Sequence, residues 1–83
     1  MSMYYILQQD IFIQAIMVKI GDRIREAREF KKLHQKQLAQ KLKVAQNTVS
    51  QWETGINLPP ADMIIKLAHA LDCDPNYLLG FGE

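Results

Sequence analysis

With 83 residues, of which 48% are apolar and 23% charged, the chain has room for one domain around one modest core and none for a second. Its single cysteine, Cys73, rules out an intrachain disulfide and suits a reducing compartment, so a cytoplasmic protein is expected. The net charge of +1 hides a division that suits a molecule turning one basic face to a polyanion: Lys19 to Asn57 carry nine cations against four carboxylates, the rest one against five.

Residues 1–18, MSMYYILQQDIFIQAIMV, are dense in apolar side chains. No cationic leader precedes them, and Gln8, Gln9, Asp10 and Gln14 interrupt the run, so neither a signal peptide nor a span of roughly 20 apolar residues is read here. The segment is expected to be an added helix or strand, because YYIL and IFI favour strand whereas Tyr5, Gln8, Phe12 and Ala15 share one side of a helix. It is too apolar for a solvated arm. Either it packs on its own domain or, the preferred option, it is a dimerising extension, since the domain at 19–83 reads as having a complete core of its own.

The spacing of Ile20, Ile24 and Ala27 predicts a first helix over 19–32, with Arg23, Arg25, Glu26, Glu29 and Lys32 outside. Leu33 plugs the core from the linker. A second helix over 35–42 buries Leu38, Ala39 and Leu42, and the turn Lys43, Val44, Ala45 directs Val44 inward. The third helix, 46–54, closes at Gly55, a position suited to a left-handed cap. On its wheel Gln46, Asn47, Ser50, Gln51 and Thr54 fall in one arc, with Thr48, Val49, Trp52 and Glu53 opposite. The outer arc is all amide and hydroxyl. Glutamine and asparagine place a donor beside an acceptor, which suits the reading of base edges in the major groove of double-stranded DNA.

Pro59 and Pro60 end the pattern, and a fourth helix over 61–71 buries Ile64, Leu67, Ala68 and Leu71. Asp74 followed by Pro75 marks the start of a short fifth helix carrying Tyr77, Leu78 and Leu79 and ending at Gly80. The fold class read from this order is all-α, a compact five-helix domain with an apolar N-terminal extension.

The motifs I-x-x-R-I-R-x-x-R from Ile20, Q-x-x-L-A from Gln35, V-x-x-x-T-V-S-x-W-E-x-G from Val44, then Pro59 and the K-L-A of Lys66 to Ala68 occur in one register. Over roughly Lys19 to Leu79 the chain resembles the phage repressor and Cro-like (XRE-type) helix-turn-helix family. The resemblance implies a lambda-repressor-like domain that binds operator DNA as a homodimer, with the third helix in the major groove. It places base reading at Ala45, Gln46, Asn47, Ser50 and Gln51, and phosphate contacts at Gln35 and in the segment from Gly55 to Asn57, where Asn57 is the expected contact; beside what the resemblance implies, Lys43, Arg25 and Thr48 are also expected to touch phosphate. It also pairs Arg28 with Glu53 in a buried salt bridge, a structural role. Family members often have glycine where this chain has Lys32, Lys43 and Asp72, so side chains are expected in left-handed or tight backbone there, at about 1 kcal/mol each. Ala45 replaces the usual small hydroxyl, so an N-cap bond is expected to be missing.

Blander assignments stand beside these. Trp52 could stack on bases, but its inner-face position assigns it to the core. His34, His69 and Cys73 do not make a metal site, since two ligands at i, i+4 are too few. No nucleophile–base arrangement and no phosphate loop is present, so neither enzymatic activity nor a cofactor is expected, and no pocket for a small-molecule effector is readable. The expected function is a sequence-specific transcriptional regulator of repressor type. The alternative is a protein-interaction module of the same fold, such as the antitoxin of a toxin–antitoxin pair.

Overall fold

The computed structural model describes residues 3–81, with side chains from Asp10 onward. Helix α1 (Met3–Phe30) is followed by α2 (Gln35–Leu42), α3 (Gln46–Thr54), α4 (Ala61–Ala70) and α5 (Pro75–Leu79), and no strand forms among the described residues. The core lies where the stripes of all five converge: Ile20, Ile24 and Ala27 of α1 meet Leu38 and Ala39 of α2, Val49 and Trp52 of α3, Ile64, Leu67 and Ala68 of α4, and Leu78 of α5. Leu33, Leu42 and Val44 pack half-buried against it. Leu79 and Ile65, by contrast, face outward.

The first helix departs from expectation at its N-terminus. Instead of starting near Lys19 it runs without a break from Met3. Neither a proline, a glycine nor a capping side chain stands at Val18 or Lys19 to end one helix and begin another. A strand there would have no partner among the described residues, whereas a helix satisfies its backbone by itself. At about 1.5 Å per residue a 28-residue helix is about 42 Å long, so α1 accounts for the 44 Å long dimension of the molecule. Its second half carries the bundle. From Asp10 to Lys19 every side chain is exposed except the half-buried Met17. No helix among the described residues is long and apolar enough to cross a membrane.

All five helices end the same way, on one left-handed residue whose successor donates its N–H to a carbonyl five residues back. The bonds run from Leu33 to Arg28 (3.1 Å), Val44 to Ala39 (3.0 Å), Ile56 to Gln51 (3.0 Å), Cys73 to Ala68 (3.0 Å) and Phe81 to Asn76 (2.8 Å). Only Gly55 and Gly80 have the residue type that takes this conformation freely; Lys32, Lys43 and Asp72 adopt φ of 57°, 58° and 53°. At the start of α5 the Asp74 carboxylate accepts the Asn76 N–H at 2.8 Å, the expected cap. Tyr77 ties α5 to α1, its hydroxyl donating to Glu26 at 3.0 Å and its ring lying 5.0 Å beneath the half-buried Arg23 guanidinium.

Candidate nucleic-acid interface

Three contacts fix the pose of α3. Val49 and Trp52 are buried beneath it. Gly21 of α1 lets the two backbones touch: a Cβ at that position would lie against the Trp52 carbonyl oxygen, 2.6 Å from the Glu53 carbonyl oxygen and 2.9 Å from its carbon. Those are backbone atoms at the end of a capped helix, and they have nowhere to go. The third contact is electrostatic. Glu53 is 3% exposed, and its carboxylate accepts from Arg28 Nε at 2.6 Å and Nη2 at 3.0 Å and from Gln35 Nε2 at 3.0 Å, while Arg28 Nη1 donates to the Leu33 carbonyl at 2.7 Å. The hydrogen bond to Glu53 raises the Arg28 pKa above its ordinary value, the opposing effect of burial being smaller. One carboxylate therefore joins α1, α2 and α3, and removing a partner leaves a buried charge unpaired at a cost of about 3–5 kcal/mol.

On the other side of α3, Gln46 and Asn47 are exposed in the first turn, Ser50 and Gln51 are half-buried, and Thr54 is exposed; Thr48, on the inner arc, is half-buried. Ala45 caps the helix at φ −71°, ψ 148° with no side-chain bond, as its methyl dictates; its carbonyl takes the N–H of Thr48 at 3.0 Å. The amides and hydroxyls expected on one arc do share one face. Lys43 stands at the end of α2, exposed and left-handed, immediately before the turn into α3.

The remaining residues expected at phosphates have other engagements. Gln35 stands at the N-terminus of α2, where helical N–H groups lack partners, but its side chain is half-buried on Glu53. Arg25 is exposed on α1, 2.8 Å from Asp22 and 3.7 Å from Glu29, both on its own helix. Asn57, in the turn after α3, donates Nδ2 to Gln51 Oε1 at 2.7 Å. Sequence reasoning missed Gly21, although an isolated glycine inside an apolar helical stripe signals close packing. It had no signal for the Gln35–Glu53 or Asn57–Gln51 bonds, because a helical wheel carries no information across elements.

A helix-turn-helix family model matches residues 24–78, the span from α1 through α5 that builds this site. The chain belongs to the repressor and Cro-like helix-turn-helix family. Within it, the chain is 41% identical over 64 residues to the HTH-type transcriptional regulator DicA of Escherichia coli, covering 77% of this chain and 47% of that protein. It thus spans about half the length of that relative. Among solved structures it is similar to the restriction-modification controller protein C.AhdI of Aeromonas hydrophila, with a TM-score of 0.73 at 39% identity over 77% of this chain and 97% of that one. The P22 c2 repressor, solved in complex with a synthetic operator, matches with a TM-score of 0.68 at 36% identity over 71% of this chain and 89% of its own. These relatives bear regulator, controller or repressor names, so the interaction-module alternative is not favoured.

Proposed function

We propose that this chain is a sequence-specific double-stranded DNA-binding transcriptional regulator of repressor type that acts as a homodimer, with α3 in the major groove. The observation that carries this is the outward amide and hydroxyl face of α3, held rigid from below by Val49, Trp52 and the Glu53 carboxylate. A reading helix has to be fixed, because its side chains must meet base edges without an entropic cost at each encounter. Gln46, Asn47, Ser50 and Gln51 supply donors and acceptors there, and Ala45 presents a methyl suited to that of thymine. Lys43, Arg25, Thr48 and the N-terminus of α2 at Gln35 supply phosphate contacts, which position the protein without reading sequence. The family and the operator complex of the P22 c2 repressor support this reading.

The test is selection from random duplex DNA over several rounds. A consensus motif is expected, and Gln46→Ala should relax preference at one base pair by about 1–3 kcal/mol while the protein stays folded. If no sequence enriches, or if the Gln46 variant ranks operator variants as the parent does, the assignment fails.

A further inference from the structure

Between the end of α2 and the outer side of α4 lies an open groove of about 460 Å3. Half-buried Leu42 and Ala70 form its floor, and Ile65 stands in it 64% exposed. Exposed Lys41 and Lys43 line one wall, exposed Lys66 and His69 the other, and no carboxylate among the described residues lines it. Arg25, Arg28 and Lys31 each have a carboxylate partner, whereas among the described residues Lys41, Lys43 and Lys66 have none. The Asp72 carboxyl, held below the usual range by the hydrogen bond from Lys31, is lowered further by His69 and Lys41, but that 2.6 Å bond already occupies it.

Helix ends account for part of this cluster. Lys41 and Lys43 at the C-terminus of α2 and His69 in the last turn of α4 meet the negative end of a helix dipole. That leaves Lys66, in the middle of α4, and the exposed Ile65 beside it. Ile65, Lys66 and His69 share the outer face of α4, opposite the buried Ile64, Leu67 and Ala68. An apolar centre rimmed by charges of one sign is complemented by an apolar ridge flanked by the opposite sign.

We propose that this groove docks an acidic amphipathic helix of a partner protein, its apolar ridge on Ile65 and its carboxylates on Lys41, Lys43, Lys66 and His69. The partner binds beside DNA and not in place of it. The reading helix α3 packs on α1 and α2, and α4 chiefly on α2 and α5, so the α4 wall of the groove lies across α2 from the reading face. A duplex backbone offers the same charge as the acidic helix but no apolar ridge, and would dehydrate Ile65 and Leu42 with nothing to meet them. Docking here does not depend on what α3 reads.

The probe is a fluorescent peptide of about 16 residues with leucines at helical spacing flanked by glutamates, titrated with the full chain and followed by anisotropy. Its control has glutamine for every glutamate. The acidic peptide should bind at about 10–100 μM in low salt and the control about tenfold more weakly. Ile65→Ser and Lys66→Ala should each weaken the acidic peptide by about fivefold or more, with melting temperature and affinity for DNA selected by the parent unchanged. Amide shifts caused by the peptide should cluster at 41–43 and 65–70. If they centre on 46–51 instead, or if both variants bind the peptide as the parent does, the peptide merely imitates phosphate on the reading face and the proposal fails. It fails also if the acidic peptide binds no better than its control. A Lys66→Ala variant that loses affinity for all DNA and flattens its salt slope, with Ile65→Ser unaffected towards the peptide, would assign this wall to the DNA backbone and overturn the docking site.

Discussion

Lys32, Lys43 and Asp72 hold left-handed backbone where glycine would sit without strain, and the residue after each of them explains how the chain tolerates it. Leu33, Val44 and Cys73 occupy those next positions, and all three pack against the core. Each is a plug whose burial offsets the strain one position earlier. The two helix ends that have glycine show the converse: Ile56 and Phe81, which come after Gly55 and Gly80, are each 67% exposed and anchor nothing. Asp72 gains in addition an exposed ion pair with Lys31 at 2.6 Å, which holds its carboxyl below the usual carboxylate range. An exposed pair adds little to stability. Among the described residues the Lys43 side chain has no such ion pair, and the proposed function gives it a phosphate to meet beside the turn into α3. Lys43→Gly should therefore separate stability from function. Relief of strain, less the extra unfolded-state entropy of glycine, should raise unfolding stability by about 0.5–1 kcal/mol, while affinity for all sequences falls and the slope of binding against salt drops by about one ion. Urea denaturation and a salt titration of binding measure the two. A variant that is more stable and binds DNA undiminished would show that Lys43 touches no phosphate.

At the scale of elements, the pose of α3 depends on how closely α1 approaches it, and Gly21 sets that distance. A methyl group there overlaps the Trp52 and Glu53 carbonyls, so Gly21→Ala must push α1 off the end of α3 despite alanine's better helix propensity. Overpacking of this kind costs about 1–3 kcal/mol, a fall in melting temperature of roughly 4 °C or more for a domain this size. It should also lower operator affinity beyond what the unfolded fraction explains, since α3 is tilted by the same displacement. A melting temperature equal to the parent's would mean the helices are not in contact at that point. This packing also shows where sequence reasoning reached and where it stopped. The bounds of α2 and α3 were legible because a turn with an inward valine and a glycine cap punctuate them, and the core stripes were legible because burial follows helical period. The start of α1 was not, since a helix boundary needs a residue that breaks a helix and Val18–Lys19 offers none. Nor were the engagements of Gln35 with Glu53 and of Asn57 with Gln51, which are set by the approach of separate elements in space.

The whole molecule is asymmetric in two respects, and both bear on assembly. Charge divides it into a basic stretch that builds α1's second half, α2 and α3 and an acidic remainder. Shape divides it as well, because the bundle leaves most side chains from Asp10 to Val18 of α1 without cover. Ile11 and Phe12 are each 67% exposed there, and Ile13, Ile16 and Val18 are exposed too. Phe12 and Ile16 stand four residues apart and Ile13 and Ile16 three, so they form a continuous stripe on one side of the helix. The stripe does not stop at the bundle: Val18 lies against Gly55, with its Cγ2 3.0 Å from where a Cβ would be, which brings the exposed Ile56 next to the root of the free segment. A stripe of this kind facing water is unfavourable for a monomer, and a second copy presents the identical surface, so a two-fold pairing of α1 along residues 10–18 would cover both at once. Such a dimer would also carry two α3 helices, as two related half-sites require. Phe12→Glu with Ile16→Glu should convert the protein to a monomer in sedimentation equilibrium and leave the melting of the bundle nearly unchanged, because neither side chain reaches the core. Operator affinity should fall steeply, while the few phosphate contacts of each single domain persist on non-specific DNA. Should the doubly substituted protein sediment as the parent does and bind its operator equally well, the free half of α1 does not join two subunits, and whatever covers it is not a second copy of this chain.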